Sequence, residues 1–240
     1  DELDRLAETL NEMIDRLEAS TRAVQEFSSN VSHEFKTPLA IIRGEIDLAL
    51  RRARSQEDLQ KTIGVISEEV DGLVRLVDDL KFLVRNDAKQ LNLQKKNLPL
   101  VPILEQVVRL YRERAKQAAV ELVFEETAEA MVFGDEVYLK RLFTNLLDNA
   151  IKFTESKGKV TVSVKITAPE LAVVKVEDTG VGIDAETLGN LGKRFYRADQ
   201  ARAKEGAGLG LSIVKAICDA HEGVLRFESQ AGRGTCVFIE

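Results

Sequence analysis

Apolar residues open the chain as a seam, Leu3, Leu6, Leu10, Met13, Leu17, Val24, Phe27 and Val31, in alternating steps of three and four that only Ser20 interrupts. That spacing is the stripe of a helix in a coiled coil, and its start in mid-pattern predicts a further segment upstream of Asp1. The seam then takes two steps of four in succession, Phe27, Val31, Phe35, before running on through Leu39, Ile42, Ile46 and Ala49. Such a stutter unwinds a supercoil locally and turns a different face inward. Pro38 lies in the same stretch, where it lacks a backbone donor and crowds the carbonyl of Glu34, so a kink or weak point is expected there. Arg51 to Asp58 ends the first helix, with Ser55 as N-cap of a second and Asp58 its acid three residues on. The second helix carries Leu59, Ile63, Ile66, Val70, Leu73, Val77, Leu80 and Val84 in unbroken four-three alternation. Two such helices in a hairpin bury only part of their seams on each other, which predicts a four-helix bundle made by two copies.

After Asn86 the heptad stops. A short linker is expected near 87–90, and Leu91-Asn92-Leu93 reads as the start of a strand. Helical periodicity returns at about 102–117, 135–152 and 208–220, interleaved with strand-like runs at Glu121–Glu125, Met131–Phe133, Lys159–Thr167, Ala172–Glu177, Val224–Glu228 and Thr235–Glu240. The tight turn Ala168-Pro169-Glu170 favours antiparallel pairing of the strands on either side. This half is expected to be an α+β sandwich, with helices on one face of a mixed sheet.

Composition narrows the function classes. Of 240 residues, 44% are hydrophobic and 31% charged, as in an ordinary folded protein, and no apolar run is long enough to span a bilayer. Residues 1–87 hold 12 Lys and Arg against 19 Asp and Glu, while residues 88–240 are nearly balanced at 22 against 21. Neither half is the basic domain expected of a nucleic-acid binder. Cys218 and Cys236 lack metal-ligand spacing and fit reduced, buried thiols.

Four stretches carry candidate chemistry. His33, one of two histidines, is directly followed by Glu34 and lies two positions past the seam residue Val31, facing outward. Neutral imidazole is a nitrogen nucleophile, and a neighbouring carboxylate can orient it and stabilise the charge it develops. A surface pair of no consequence is the competing reading of this motif alone. Helix residues Arg141, Asn145, Asp148, Asn149 and Lys152 recur at three-to-four spacing opposite the apolar face Leu139, Leu142, Phe143, Leu146, Leu147 and Ala150. Amide oxygens suit Mg²⁺, and Lys and Arg suit phosphate oxygens, although a solvated face has the same pattern. Asp178-Thr179-Gly180-Val181-Gly182-Ile183 sets an acid at a strand end beside two glycines, where a ligand's exocyclic amine can meet a fixed acceptor. Gly206-Ala207-Gly208-Leu209-Gly210-Leu211 is a glycine loop opening a helix, with neither Rossmann nor P-loop spacing, whose N–H groups can receive phosphate.

Taken in order, Ser32-His33-Glu34-Phe35-Lys36-Thr37-Pro38-Leu39, Asn145 to Phe153, Asp178 to Ile183, Arg194-Phe195-Tyr196-Arg197 and Gly206 to Leu211 strongly resemble the sensor histidine kinases of two-component signalling, over essentially the whole chain. The resemblance implies an all-α dimerisation hairpin followed by an ATP-binding domain of the type shared with gyrase and Hsp90. It divides the chain into a signal-relay helix at 1–20, a dimerisation and phosphotransfer hairpin at 21–86, a linker with the first strand at 87–98 and a catalytic domain at 99–240. It implies ATP and Mg²⁺ as cofactors, His33 as phosphoacceptor, Glu34 as its acid/base partner and Thr37 as the residue orienting water for dephosphorylation of the partner. Asn145 would hold Mg²⁺, with Asn149 and Lys152 near the phosphates. Asp178 would take the adenine amine beside Gly180, Gly182 and Ile183, Arg197 would meet the transferring phosphate, and the amides of Gly206, Gly208 and Gly210 the phosphate chain. Phe153, Tyr196, Leu209 and Leu211 complete the implied nucleotide site. The implied partners are a second copy and the receiver domain of a response regulator, with no nucleic acid; regulator choice would rest on residues such as Arg43, Asp47 and Asp71. The implied location is the cytoplasmic portion of an inner-membrane sensor, with membrane contact only through an upstream region.

The sequence departs from the family pattern at Phe35 and Lys36, at Ala207 in the glycine loop, and at Leu188 to Tyr196, where Gly189 and Gly192 weaken an expected helix by roughly 1 kcal/mol each. Asp199–Glu205 is polar, without core pattern, and reads as a mobile lid whose anchor is loose. That looseness motivates an alternative, a phosphatase-dominant or scaffold protein using ATP as a conformational ligand. An ATP-driven clamp is a third possibility, opposed by the histidine-bearing hairpin. His221 closes a helix, where a histidine favours the dipole.

Overall fold

A computed structural model describes residues 2–51, 55–126, 129–168, 171–197 and 206–240. The chain forms two compact units, residues 1–78 and 79–240.

The first unit is helical. Helix α1, Glu2–Arg51, runs continuously through the stutter and Pro38, and α2 spans Gln56–Asp87. Ser55 caps α2 as its position predicts: its Oγ accepts the Asp58 N–H at 3.1 Å and donates to the Asp58 carboxylate at 2.8 Å. Thr62, buried in the hairpin, donates to the Glu45 carboxylate at 3.3 Å and ties the two helices together. Along α1, Val31, Phe35, Ile42 and Ala49 are half-buried, whereas Leu6, Leu10, Leu17, Leu39 and Ile46 stay exposed. On α2, Leu59, Ile63 and Val70 are exposed too.

The second unit begins within the last turns of α2, where Phe82 and Leu83 are buried. Next come β1 (Lys96–Pro99), α3 (Leu100–Gln117), β2 (Glu121–Glu126), β3 (Met131–Gly134), α4 (Glu136–Phe153), β4 (Lys159–Ala168) and β5 (Leu171–Asp178). The chain ends with α5 (Ala185–Leu188), α6 (Gly210–Ala220), β6 (Leu225–Gln230) and β7 (Gly234–Ile239). Five strands form one sheet in the order β2-β4-β5-β7-β6, parallel at β2·β4 and antiparallel elsewhere, so the sheet is mixed as expected. Period-2 alternation puts Val160, Val162, Val164, Val174 and Val176 on the buried face, against apolar residues of α3, α4 and α6 such as Leu104, Phe143 and Ile213. The opposite face carries Lys159, Lys165, Lys175 and Glu177.

Three expectations change. Leu91-Asn92-Leu93 is not a strand; the first strand is Lys96–Pro99, whose four residues use all four of β3. Leu91 and Leu93 are half-buried, so their alternation is real, but among the described residues they pair with no strand. Met131–Phe133 belongs to that separate two-stranded ribbon rather than to the large sheet. Gly189 and Gly192 do not sit inside a helix: α5 stops at Leu188, Gly189 is its C-cap, and Gly192 and Phe195 take left-handed φ of 81° and 59°. A helix-propensity cost therefore applies to neither glycine.

Candidate functional site

Helix α4 presents the first part of the site. Asp135 caps its N-terminus, accepting the N–H groups of Val137 and Tyr138 at 3.0 and 3.4 Å. Leu139, Leu142, Phe143, Leu146, Leu147 and Ala150 face the core, leaving Asn145, Asn149 and Lys152 half-exposed. The Asn145 Nδ2 donates to the Arg141 carbonyl at 2.9 Å. Because a carbonyl only accepts, the amide is fixed with its oxygen turned the other way. That oxygen meets the glycine loop, where a Cβ added at Gly210 would lie 3.1 Å from Asn145 Oδ1. An oxygen donor held this way fits a hard cation such as Mg²⁺.

Arg141 and Asp148 do not join this group, and the five-residue polar face divides. Arg141 pairs with Asp79 at 2.5 Å and lies 4.7 Å over the Phe82 ring, while Asp148 pairs with Arg114 of α3. Both polar residues brace α4 against neighbouring helices.

The Asp178 turn meets the other end of α4. Val181 N–H donates to the Phe153 carbonyl at 3.3 Å, and a Cβ at Gly180 would strike that same carbonyl. Gly182 takes φ +65° hard against the backbone of Gln230, so here only glycine fits. Asp178 Oδ1 accepts N–H groups from Gly180 at 2.8 Å and Thr235 at 3.2 Å. Burial pushes the Asp178 carboxyl above its usual range, partly opposed by those two donors. Ile183 N–H donates to Ser229 Oγ at 2.8 Å, and Gly232 N–H to the Val181 carbonyl at 2.7 Å, so the β6–β7 hairpin holds the turn from its far side.

The glycine loop closes the arrangement. Gly206 has φ +126°, with Lys152 Nζ 3.1 Å from where a Cβ would stand. Gly208 has φ +69° against the backbone of Phe195, whose N–H donates to the Gly208 carbonyl at 3.1 Å. Leu209 is buried, and α6 starts at Gly210 with no side-chain cap, leaving its first backbone N–H groups for an anion. Leu211, Tyr196 and Arg197 are half-buried nearby in sequence. The expected lid, Asp199–Glu205, lies outside the described residues. In the helical unit His33 and Thr37 are exposed and Glu34 half-buried, one turn of α1 covering all three.

Two family models match the chain. Residues 23–89 match the His Kinase A (phospho-acceptor) domain, and residues 134–240 the histidine kinase-, DNA gyrase B- and HSP90-like ATPase. The sensor histidine kinase CusS of Escherichia coli K12 is 36% identical over 98% of this chain and 48% of its own length. The signal transduction histidine-protein kinase BaeS of the same strain is 35% identical over 100% of this chain and 51% of its own. The chain belongs to the sensor histidine kinases. It spans about half the length of the curated relatives it matches. Full-length ShkA, solved in complex with AMPPNP, superimposes on 88% of this chain with a TM-score of 0.68 and 26% identity, and this chain covers 44% of that one.

Two contributors to the site escaped sequence reasoning. Ser229 and Thr235 are polar residues at inward positions of strands whose neighbouring inward positions, Phe227 and Val237, are apolar; that break in period-2 alternation was the available signal. His221 has the structural role expected of it, but not as a cation on a dipole. Its Nε2 accepts the Asp135 N–H at 3.0 Å and its Nδ1 lies 2.8 Å from the Ile217 carbonyl, so the ring is neutral, with the hydrogen on Nδ1. It thereby joins the start of α4 to the end of α6. Asp135 Oδ2 also accepts the Gln94 N–H at 2.9 Å, which occupies the linker backbone. Both cysteines are buried, and burial pushes each thiol up to about 11. Among the described residues no cluster of three or more His, Cys, Asp or Glu offers a metal site, and no helix is long and apolar enough to cross a membrane.

Proposed function

We propose that this kinase phosphorylates itself at His33 from Mg-ATP and passes the phosphoryl group to an aspartate of a response regulator. The observation that carries this reading is the convergence of three motifs: Asn145 Oδ1 faces Gly210, Lys152 Nζ faces Gly206, and the Asp178 turn is bonded to Phe153 at the end of the same helix. Asp178 and its glycines take the adenine, and Lys152, Asn149 and the open N-terminus of α6 take the phosphates. Phe153, Ile183, Leu209 and Leu211 enclose the nucleotide with Tyr196, and Arg197 serves the transferring group. Asn145 holds Mg²⁺, which when bound offsets negative charge on the phosphate oxygens. One imidazole nitrogen of His33 forms an N–P bond to the γ-phosphorus as the bond to the bridging oxygen breaks, and ADP leaves with that electron pair. Glu34 receives the proton from the other ring nitrogen.

Dimerisation follows from the seam left open on both helices: Leu39, Ile46, Leu59, Ile63 and Val70 are all at least 40% exposed, and a second hairpin covers them in a four-helix bundle. Residues 21–86 form that dimerisation and phosphotransfer hairpin, 99–240 the catalytic domain, and 1–20 the end of a relay helix from a membrane sensor. Thr37, one turn past His33, orients water to dephosphorylate the regulator. The test is labelling with γ-labelled ATP: acid-labile, base-stable label appears in the wild type and is absent from His33→Gln. Label persisting in that variant assigns the acceptor elsewhere. Thr37→Ala keeps self-labelling and loses regulator dephosphorylation; a variant that loses both refutes the separate role of Thr37.

A further inference from the structure

Three polar side chains stand in one row across neighbouring strands. The register sets Asp178 opposite Thr235 and Thr235 opposite Ser229, so all three share the covered face of the sheet. The next row on that face, Val176, Val237 and Phe227, is apolar. The polar row therefore lies at the margin of the core, beside the turn of Gly180 and Gly182.

The direction of its hydrogen bonds can be worked out. Ser229 Oγ lies 2.8 Å from the Gly234 carbonyl, 2.9 Å from Thr235 Oγ1 and 2.8 Å from the Ile183 nitrogen. A hydroxyl has one hydrogen and two lone pairs. The Gly234 carbonyl only accepts, so the Ser229 hydrogen goes to it. The lone pairs of Ser229 then receive the Ile183 N–H and the hydrogen of the Thr235 hydroxyl. Thr235 has spent its only side-chain hydrogen inward and offers a ligand nothing but lone pairs. Asp178 Oδ1 already receives two backbone N–H groups, a contact only an acceptor makes, so this oxygen is an acceptor as well.

We infer that Ser229 is a specificity-determining residue of the kinase: by fixing the Thr235 hydroxyl as an acceptor beside the Asp178 carboxylate, it matches the row to a 6-amino purine and against a 6-oxo purine. An exocyclic amine donates to such a row, whereas a 6-oxo group brings a third acceptor to it and is rejected. Ser229 touches the turn and the threonine rather than the base, so its role is positioning. The inference rests on the nucleotide reading of the Asp178 turn.

Calorimetric titration of the 240-residue chain with Mg-ATP and with Mg-GTP tests it. The wild type is expected to prefer ATP. Ser229→Ala releases the Thr235 hydrogen to rotate toward the base, and the ATP-to-GTP affinity ratio falls by roughly tenfold or more. Ser229→Thr retains the hydroxyl and keeps the ratio. Loss of the Ile183 bond in Ser229→Ala weakens both nucleotides alike, so the ratio separates the inference from simple loosening of the turn. If Ser229→Ala does not give the wild-type circular dichroism spectrum, Thr235→Val takes its place, with the same fall in ratio expected. A preference for ATP that survives Ser229→Ala, or Thr235→Val in its place, overturns the inference and leaves the nucleotide reading standing. A wild type that binds neither nucleotide overturns both.

Discussion

Replacing His221 by lysine and by glutamine separates two accounts of what this ring does. If positive charge at the end of α6 were the stabilising element, lysine would retain it, worth about 0.3–1 kcal/mol at a helix terminus. The ring instead accepts the Asp135 N–H at 3.0 Å and faces the Ile217 carbonyl at 2.8 Å, which needs one acceptor and one donor in fixed places. Lysine has only donors. Its ammonium meets the Asp135 N–H head-on and strands it, and an orphaned donor costs about 1–3 kcal/mol. His221 is half-buried, which favours the lower half of that range. At ~2–4 °C per kcal/mol for a unit of this size, the melting temperature drops by roughly 2–8 °C. Glutamine keeps an acceptor within reach of Asp135 and lacks the Nδ1 donor, so it falls between the two. Thermal melts and urea unfolding followed by circular dichroism should rank the wild type above His221→Gln and His221→Gln above His221→Lys. Lysine equal to or above glutamine refutes the neutral-ring account. Because Asp135 also caps the helix that bears Asn145, Asn149 and Lys152, ATP affinity should follow the same order.

Further outcomes follow from the site. Burial raises the Asp178 pKa, so the folded chain binds that proton more tightly than the unfolded one, and the group's contribution to stability is full at acid pH and is lost as pH rises through the folded value. Asp178→Asn should therefore gain stability relative to the wild type as pH rises above the ordinary carboxylate range, while losing ATP binding; a difference independent of pH in urea titrations refutes this. Gly182→Ala must take a left-handed φ against the Gln230 backbone, at a cost of at least about 1–2 kcal/mol and with weakened ATP binding; unchanged melting and affinity would mean the turn is not held as described. Arg141→Ala removes the Asp79 pair and the contact with Phe82, and should destabilise by about 1–2 kcal/mol in urea unfolding without abolishing nucleotide binding, since Arg141 contributes only its carbonyl to Asn145.

How far the sequence disclosed this molecule depends on whether a feature is periodic or relational. Leu59 to Val84 repeat in one helix, Val160 to Val164 alternate in one strand, and both patterns were legible because each element's own geometry imposes them. Gly180, Gly182 and Gly208 were legible for a local reason too: the backbone reaches a conformation or a closeness that a side chain forbids. What stayed hidden depends on residues distant in the chain. Arg141 and Asp148 have the same spacing as Asn145 and Lys152, and only the neighbours Asp79 and Arg114 decide that they brace rather than bind. Leu91 and Leu93 alternate like a strand, but strandhood needs a partner, and among the described residues the pairing with β3 begins only at Lys96.

His221 and Ser229 carry this furthest. A histidine at a helix end suggests a cation until the N–H of Asp135, 86 residues away, is found pointing at its ring. A serine near the C-terminus suggests nothing until three partners settle where its single hydrogen must go. In both cases function rests on the direction of a hydrogen bond, and direction is fixed by a carbonyl or an N–H whose role cannot reverse. The backbone thus does more than hold the side chains of this site in place. The Arg141 carbonyl turns the Asn145 amide, the Asp135 N–H selects the His221 tautomer, and the Gly234 carbonyl polarises the Ser229–Thr235 pair. Substitutions that remove or reverse a needed donor or acceptor should therefore harm this protein more than ones that keep it and change shape slightly, and the pairs His221→Gln against His221→Lys and Ser229→Thr against Ser229→Ala put that ordering to measurement.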